Sequence, residues 1–150
     1  VLQASDLPVE LHYTGAEAVD FRNWLGDGPV FVKQAEGDLT DRLMAALQPA
    51  PVIFFGADTP DLSPGHVAQA VTALKTHRIV LGPAADGGYY LIGMQQPMPD
   101  LLENMPWSTD QVMPETLRRL ASKAIKPILL ETLHDCDRPE DLVRWPWLTA

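Results

Sequence analysis

Carboxylates follow the ends of three apolar or glycine-bearing runs in this sequence, and each could do chemistry. Asp58 and Asp61 follow Val52-Ile53-Phe54-Phe55-Gly56. Asp86 stands inside Gly82-Pro83-Ala84-Ala85-Asp86-Gly87-Gly88-Tyr89-Tyr90-Leu91-Ile92-Gly93. Asp135 and Asp137 open His134-Asp135-Cys136-Asp137-Arg138-Pro139-Glu140-Asp141-Leu142. A carboxylate at the end of a strand can hold a hard divalent cation, take up a proton, or accept a hydrogen bond from a hydroxyl group. It can also do no more than fold a turn. For Asp58 and Asp61 the turn and the cation-facing roles are both open on the segment alone. The paired Gly87 and Gly88 let backbone approach a ligand closely, and place Asp86 to act as a base or to bind a sugar hydroxyl. The same Asp-Gly step is a strong hairpin signal. Asp137 with Glu140 reads as a capping box, which still leaves a carboxylate oxygen free for a metal. A zinc site at His134 to Asp137 is disfavoured. Alternate strand residues face opposite sides, and no second cysteine–histidine group exists.

Other positions carry less. Gln34 to Arg42 (QAEGDLTDR) puts a loop and a helix start beyond a strand, which suits an anion. Alternatively, Asp38 caps that helix and Arg42 pairs with a helix neighbour. Trp107-Ser108-Thr109 could stack on a ring or simply pack. Trp145 and Trp147 read as core or anchoring residues, and His12, His66 and His77 share no spacing.

The elements that must position these groups alternate. Strands are expected at Val9 to Tyr13, Val30 to Lys33, Val52 to Gly56, Ile79 to Leu81, Tyr89 to Met94 and Ile128 to Leu130. Helices are expected at Ala16 to Leu25, Asp38 to Leu47, Ser63 to Leu74, Val112 to Lys123 and Asp137 to Trp145. The helix after Ser63 is the clearest. Ser63 suits the N-cap, Pro64 the first turn, and Val67, Ala70, Val71 and Leu74 recur at helical spacing. The unbroken apolar run VIFFG predicts a strand covered on both faces. Strand–helix–strand repetition predicts a three-layer α/β/α domain with a mostly parallel sheet, mixed because Ile79 to Met94 holds two strands with no helix between them. In such sheets ligands bind at the carboxyl ends of the strands, where the acidic segments fall.

Composition sets the bounds. The chain has 150 residues, a size for one domain, read here as spanning 1–150. A net charge of −9 argues against nucleic acid as a partner, but permits a phosphorylated small molecule if a cation lies between. No apolar run is long enough to span a membrane, and Val1 to Pro8 lacks the pattern of a signal peptide. The single cysteine, Cys136, fits a reducing cytoplasm.

Four motifs, in order, resemble a family of bacterial glycosyltransferase-A-like proteins of the nucleotide-diphospho-sugar transferase superfamily. They are Q-x-x-G-D-L-x-D-R at Gln34 to Arg42, G-x-D-x-P-x-L at Gly56 to Leu62, G-P-A-x-D-G-G-Y-Y-L-I-G at Gly82 to Gly93, and D-x-D-x-P-E-D-L at Asp135 to Leu142. Trp107-Ser108-Thr109 falls where the family carries W-S-T. The resemblance implies a metal-dependent transferase with a nucleotide-activated donor and an acceptor not identified by the sequence. Glycosyl transfer is the expected reaction, with nucleotidyl transfer or a non-catalytic nucleotide- or sugar-binding module as alternatives. It implies a divalent cation, Mg or Mn, held by Asp58 and Asp137, with Asp86 as the catalytic residue. Gly56, Asp61, Gly87, Gly88, Tyr89, Trp107, Ser108 and Asp135 would contact the substrate. The family's first central strand and its P-G-x-x-K-T-R-L loop have no counterpart in this sequence. Either an N-terminal portion lies outside the sequence or half of the nucleotide site is lost; a parallel sheet without its central strand would expose ladder groups and open its core, which favours the first.

Overall fold

A computed structural model describes residues 7–149, so the start of the Val1 to Pro8 segment lies outside the described residues. The elements follow one another as β1 (Glu10–Tyr13), α1 (Ala18–Leu25), β2 (Val30–Lys33), α2 (Leu39–Ala45), β3 (Val52–Phe55), α3 (Pro64–Leu74), β4 (Ile79–Pro83), β5 (Tyr89–Met94), α4 (Val112–Ser122) and β6 (Ile128–Leu129). Short 3-10 turns occupy Pro99–Leu101, Pro139–Arg144 and Pro146–Leu148. The expected closing helix is therefore a 3-10 pair. Pro139 and Pro146 each open one of the two turns, and prolines spaced this closely leave no room for a regular α-helix. Pro114 is accommodated because it lies in the first turn of α4, where its missing N–H has no intrahelical partner to lose.

The strands form two sheets. β1 and β2 pair in parallel, and a four-stranded sheet runs in the order β3-β5-β4-β6. In the larger sheet β5 is antiparallel to both β3 and β4, and β6 is parallel to β4. Three strands thus share one direction, so the carboxyl ends of β3, β4 and β6 meet the amino end of β5 along one edge. The mixed character expected from the helix-free stretch between β4 and β5 resides in β5.

Side-chain alternation divides the core. Ile79, Leu81, Ile92 and Met94 face α4 and the segment around Met98, Leu101 and Leu102. Val80 and Leu91 face α3 through Ala70 and Leu74. A bulge interrupts this alternation. Gly82 pairs with Leu91 but Pro83 pairs with Tyr89, leaving Tyr90 as the extra residue. The bulge turns Tyr90 onto the α3 face and Tyr89 onto the α4 face. Gly82 is required there, because a Cβ on it would lie 2.4 Å from the Tyr90 ring.

β3 packs on both faces as expected, Val52 and Phe54 against one core and Ile53 and Phe55 against the other. Its run VIFF is half-buried throughout, because β5 is its one strand partner among the described residues. Its flank borders an apolar cleft of about 800 Å³ lined by Leu7, Val9, Ile53, Phe55, Val67 and Val71 among others. α1 likewise buries no residue fully.

Candidate functional site

The acidic segments converge on the sheet edge where β3, β4 and β6 end. Asp58 follows β3, and its carboxylate folds back over Gly56, where a Cβ would lie 2.8 Å from Oδ1. Gly56 N–H donates to Tyr90 O at 2.8 Å, which holds this turn against the bulge. Next to Asp58, the Thr59 side chain turns inward, 7% exposed, and its hydroxyl donates to Asp135 Oδ1 at 2.7 Å. The Cys136 N–H donates to Asp58 O, also at 2.7 Å.

Asp86 lies in the loop joining β4 to β5. One of its oxygens accepts from Gly88 N–H at 2.9 Å, closing a local turn and leaving the other oxygen free to act. Gly87 adopts φ +96°, and a Cβ there would lie 2.5 Å from the Asp110 backbone. Its carbonyl accepts from Met113 N–H at 2.9 Å, which ties the loop to the start of α4. The hairpin reading and the functional reading thus describe the same turn. Gly87 is a packing position, whereas Gly88 lines the neighbouring cavity.

The electrostatics show which carboxylates meet. Partial burial raises the Asp135 carboxyl above the usual range, the Thr59 hydrogen bond opposes this, and the charges of Asp58, Asp86 and Asp137 raise it further. The charges of these three carboxylates therefore reach Asp135. Asp61 is exposed and does not join the group acting on Asp135. Among the described residues, no three His, Cys, Asp or Glu side chains stand close enough to cage a metal ion.

Beside the carboxylates lies a cavity of about 220 Å³. Phe54, Phe55 and Gly56 form one wall, Asp86, Gly88 and Tyr89 another, and Trp107, Ser108 and Thr109 a third. Six of the residues expected to touch substrate or act on it (Gly56, Asp86, Gly88, Tyr89, Trp107 and Ser108) thus share one cavity. Trp107 stands edge-on to Tyr89 with ring centroids 6.2 Å apart. Ser108 has φ 60°, a left-handed conformation that non-glycine residues adopt at a cost. Burial pushes the Tyr89 hydroxyl above its ordinary range. Its neighbour Thr116 spends its own hydrogen on Val112 O at 2.8 Å.

Two expectations about flanking segments change. At the start of α2 Asp38 is a cap, one of the two readings open for that segment. Asp38 accepts from Asp41 N–H, and Asp41 returns a carboxylate oxygen to Asp38 N–H, each at 3.0 Å. Arg42 reaches outside its helix, donating to Gln34 Oε1 at 3.2 Å. In the last motif the cap comes from Asp141 rather than from Asp137 with Glu140. Asp141 Oδ2 accepts from the N–H groups of Asp137 and Arg138 at 3.1 and 2.9 Å. The Asp137 carboxylate is thereby released from capping.

Sequence reasoning missed three supporting residues: Thr59, Thr40 and Arg119. Thr59 carried one signal, since a threonine between a buried strand and an acidic loop needs a partner for its hydroxyl once buried. Thr40 and Arg119 make contacts across 62 or more and 15 or more positions respectively, which no local pattern reveals. His66 is also more than a spectator. It is buried, receives Ser63 N–H at 3.0 Å on Nδ1, and stands edge-on to Tyr90.

Residues 1–109 match the model of a family described as uncharacterized proteins conserved in bacteria, DUF2064. The chain belongs to the DUF2064 family. This DUF2064 chain is also similar to a crystal structure of a protein named as a putative nucleotide-diphospho-sugar transferase from Desulfovibrio desulfuricans G20. The two share 26% identity with a TM-score of 0.85, over 97% of this chain and 68% of that one. The match bears out the resemblance to that superfamily and its glycosyltransferase-A-like fold. No curated protein matches the sequence. No helix among the described residues is long and apolar enough to cross a membrane.

Proposed function

We propose that this DUF2064 protein is a transferase acting on a nucleotide-activated donor, with transfer of a glycosyl group from a nucleotide sugar as its reaction. The observation that carries this reading is the joining of the Asp58 turn to the Asp135 segment, through the Thr59–Asp135 and Cys136–Asp58 hydrogen bonds, beside a cavity walled by Asp86, Tyr89 and Trp107. The Asp58, Asp86 and Asp137 charges raise the cost of ionising Asp135, and a bound cation would offset it. An all-oxygen donor set suits Mg or Mn. A cation at such a site would be held by one or two carboxylates and completed by phosphate oxygens. Asp58 and Asp137 are the residues that would hold it. When bound, the cation would neutralise the donor diphosphate and stabilise it as a leaving group.

The remaining steps belong to the chain's own residues. The cavity of about 220 Å³ is below the usual size for a whole drug-sized ligand and suits a single ring, with Tyr89 and Trp107 giving it apolar walls. The free oxygen of Asp86 accepts the proton of an acceptor hydroxyl as that oxygen bonds to the sugar carbon. The bond from sugar carbon to diphosphate breaks, and the nucleoside diphosphate leaves. Gly56 and Gly88 permit close approach of backbone, while Asp135 and Ser108 contact the substrate at the rim. A cytoplasmic setting belongs to the same proposal.

A thermal-shift panel of nucleoside diphosphates, triphosphates and nucleotide sugars, each with and without Mn, tests the reading. A cation-dependent shift lost in Asp58→Ala supports it, and no shift with any nucleotide rejects it. A product assay with labelled nucleotide sugar against labelled nucleoside triphosphate then separates glycosyl from nucleotidyl transfer. Binding without turnover of either would leave a binding module.

A further inference from the structure

The segment after β6 is a strap laid over the end of the larger sheet. It is fastened first to β4 and its loop. Leu130 N–H donates to Leu81 O at 2.8 Å, Leu133 N–H to Pro83 O at 3.0 Å, and Ala85 N–H to Leu133 O at 2.9 Å. The Tyr90 hydroxyl then donates to Glu131 O at 3.1 Å, so the strap is also held by β5. Its far end reaches the turn after β3, where it is held by two hydrogen bonds, from the Thr59 hydroxyl to Asp135 and from Cys136 N–H to Asp58 O. The next fixed point is the cap made by Asp141 on Asp137 and Arg138. Thr59 supplies the one side-chain bond at the far end, and it comes from a residue that is 7% exposed and packed in place.

We propose that Thr59 is the positioning residue of the acidic site. Its buried hydroxyl anchors the strap and so sets where Asp135 and Asp137 stand relative to Asp58. The Asp58 charge on the β3 turn and the Asp135 charge on the strap repel each other. A neutral hydroxyl that donates to one of them opposes that push without adding charge. Without it, the last side-chain-independent fastening to β4 is at Leu133, four positions before Asp137. The consequence for ligand binding rests on the transferase reading, but the anchoring is measurable on the free protein.

The Cys136 amide reports directly, because its hydrogen bond to Asp58 O exists only while the strap is seated. Amide exchange is compared in wild type, Thr59→Val, Thr59→Ser and Asp135→Ala. Thr59→Val and Asp135→Ala are expected to speed exchange at Cys136 about fivefold or more while β4 and β5 keep their protection. Thr59→Ser is expected to restore the wild-type rate. Unchanged Cys136 exchange in Asp135→Ala, or a Ser variant that behaves like the Val variant, overturns the proposal, and the Asp135 arm stands even if Thr59→Val does not fold. Affinity for the nucleoside diphosphate giving the largest wild-type shift with Mn is then expected to fall about tenfold in Thr59→Val and recover in Thr59→Ser. Should wild type bind no nucleotide, the transferase reading fails while the exchange result still decides the anchor.

Discussion

The indole N–H of Trp107 donates to the Thr40 hydroxyl at 2.8 Å, and that hydroxyl donates onward to Leu102 O at 3.3 Å. One threonine on α2 thus holds both ends of the segment that walls the candidate cavity. The segment is otherwise irregular and contains Asn104 in a left-handed conformation, with Ser108 in another just beyond it, so it needs an external frame. The edge-on contact of Trp107 with Tyr89 supplies the second side of that frame.

Thr40→Val removes the hydroxyl but keeps the shape, and strands the half-buried indole N–H. The expected cost is about 1 kcal/mol, read from the midpoint of urea unfolding. Cleavage by a protease within residues 103–109 is expected to quicken as well. Equal midpoints and equal cleavage in the two proteins would show that Thr40 does not hold the segment.

Arg119 frames the same segment from the other side. Its guanidinium donates to Asp100 O, Leu101 O, Glu103 O and Asn104 O at 2.6 to 3.4 Å, and its Nε to Glu115 at 2.6 Å. The side chain is 15% exposed, so water replaces these bonds poorly. Arg119→Met is expected to cost about 2 to 3 kcal/mol in urea unfolding. Arg119→Lys should recover only part of this, because one ammonium cannot serve a fork of carbonyls. A loss below about 0.5 kcal/mol for the Met variant would contradict the clamp.

The pattern of what the sequence discloses follows from the range of the interactions. β5 was legible to the residue and α3 nearly so, because caps, spacing and apolar runs are local. The four aspartates were legible as candidates, because strand ends in a mixed sheet must gather at one edge. VIFF was legible as packed on both faces but not as an edge strand, because an apolar run does not disclose whether a neighbouring strand is present. The bulge at Tyr90 is not legible, since it depends on the partner strand, where Gly82 leaves room for the Tyr90 ring. Thr59, Thr40 and Arg119 act across long sequence separations, so their roles appear only once the chain is folded. Asp141 was overlooked in favour of Glu140 by a single position, within the ordinary uncertainty of a helix start.

Acid sensitivity on α4 has a defined sign. Hydrogen bonds from Arg118 and then Arg119 lower the Glu115 carboxyl from 4.5 to about 2. A carboxyl lowered by folding stabilises fully above its unfolded value, and loses that contribution as pH falls towards its folded value. The stability difference between wild type and Glu115→Gln should be greatest at neutral pH and should shrink between about pH 4.5 and pH 2. Urea midpoints of both proteins at several pH values check this. A difference that stayed constant across the window would exclude an ionic role for Glu115.

Asp135 has the opposite sign. Burial and the neighbouring Asp58, Asp86 and Asp137 raise its carboxyl, although Thr59 works against them. A carboxyl raised by folding costs stability once ionised, and the cost disappears as pH falls below its raised value. Asp135→Asn keeps an oxygen for the Thr59 hydroxyl while deleting the charge. The variant is therefore expected to melt at a higher temperature than wild type at pH 7, with the gain shrinking on acidification. The stabilisation by nucleotide with Mn should diminish in the same variant, because the cluster loses part of the charge that attracts a cation. Stability of this kind gained at the expense of binding marks a site kept under electrostatic strain for use. A lower melting temperature at pH 7 would show that Asp135 is a structural support rather than a member of a strained acidic site.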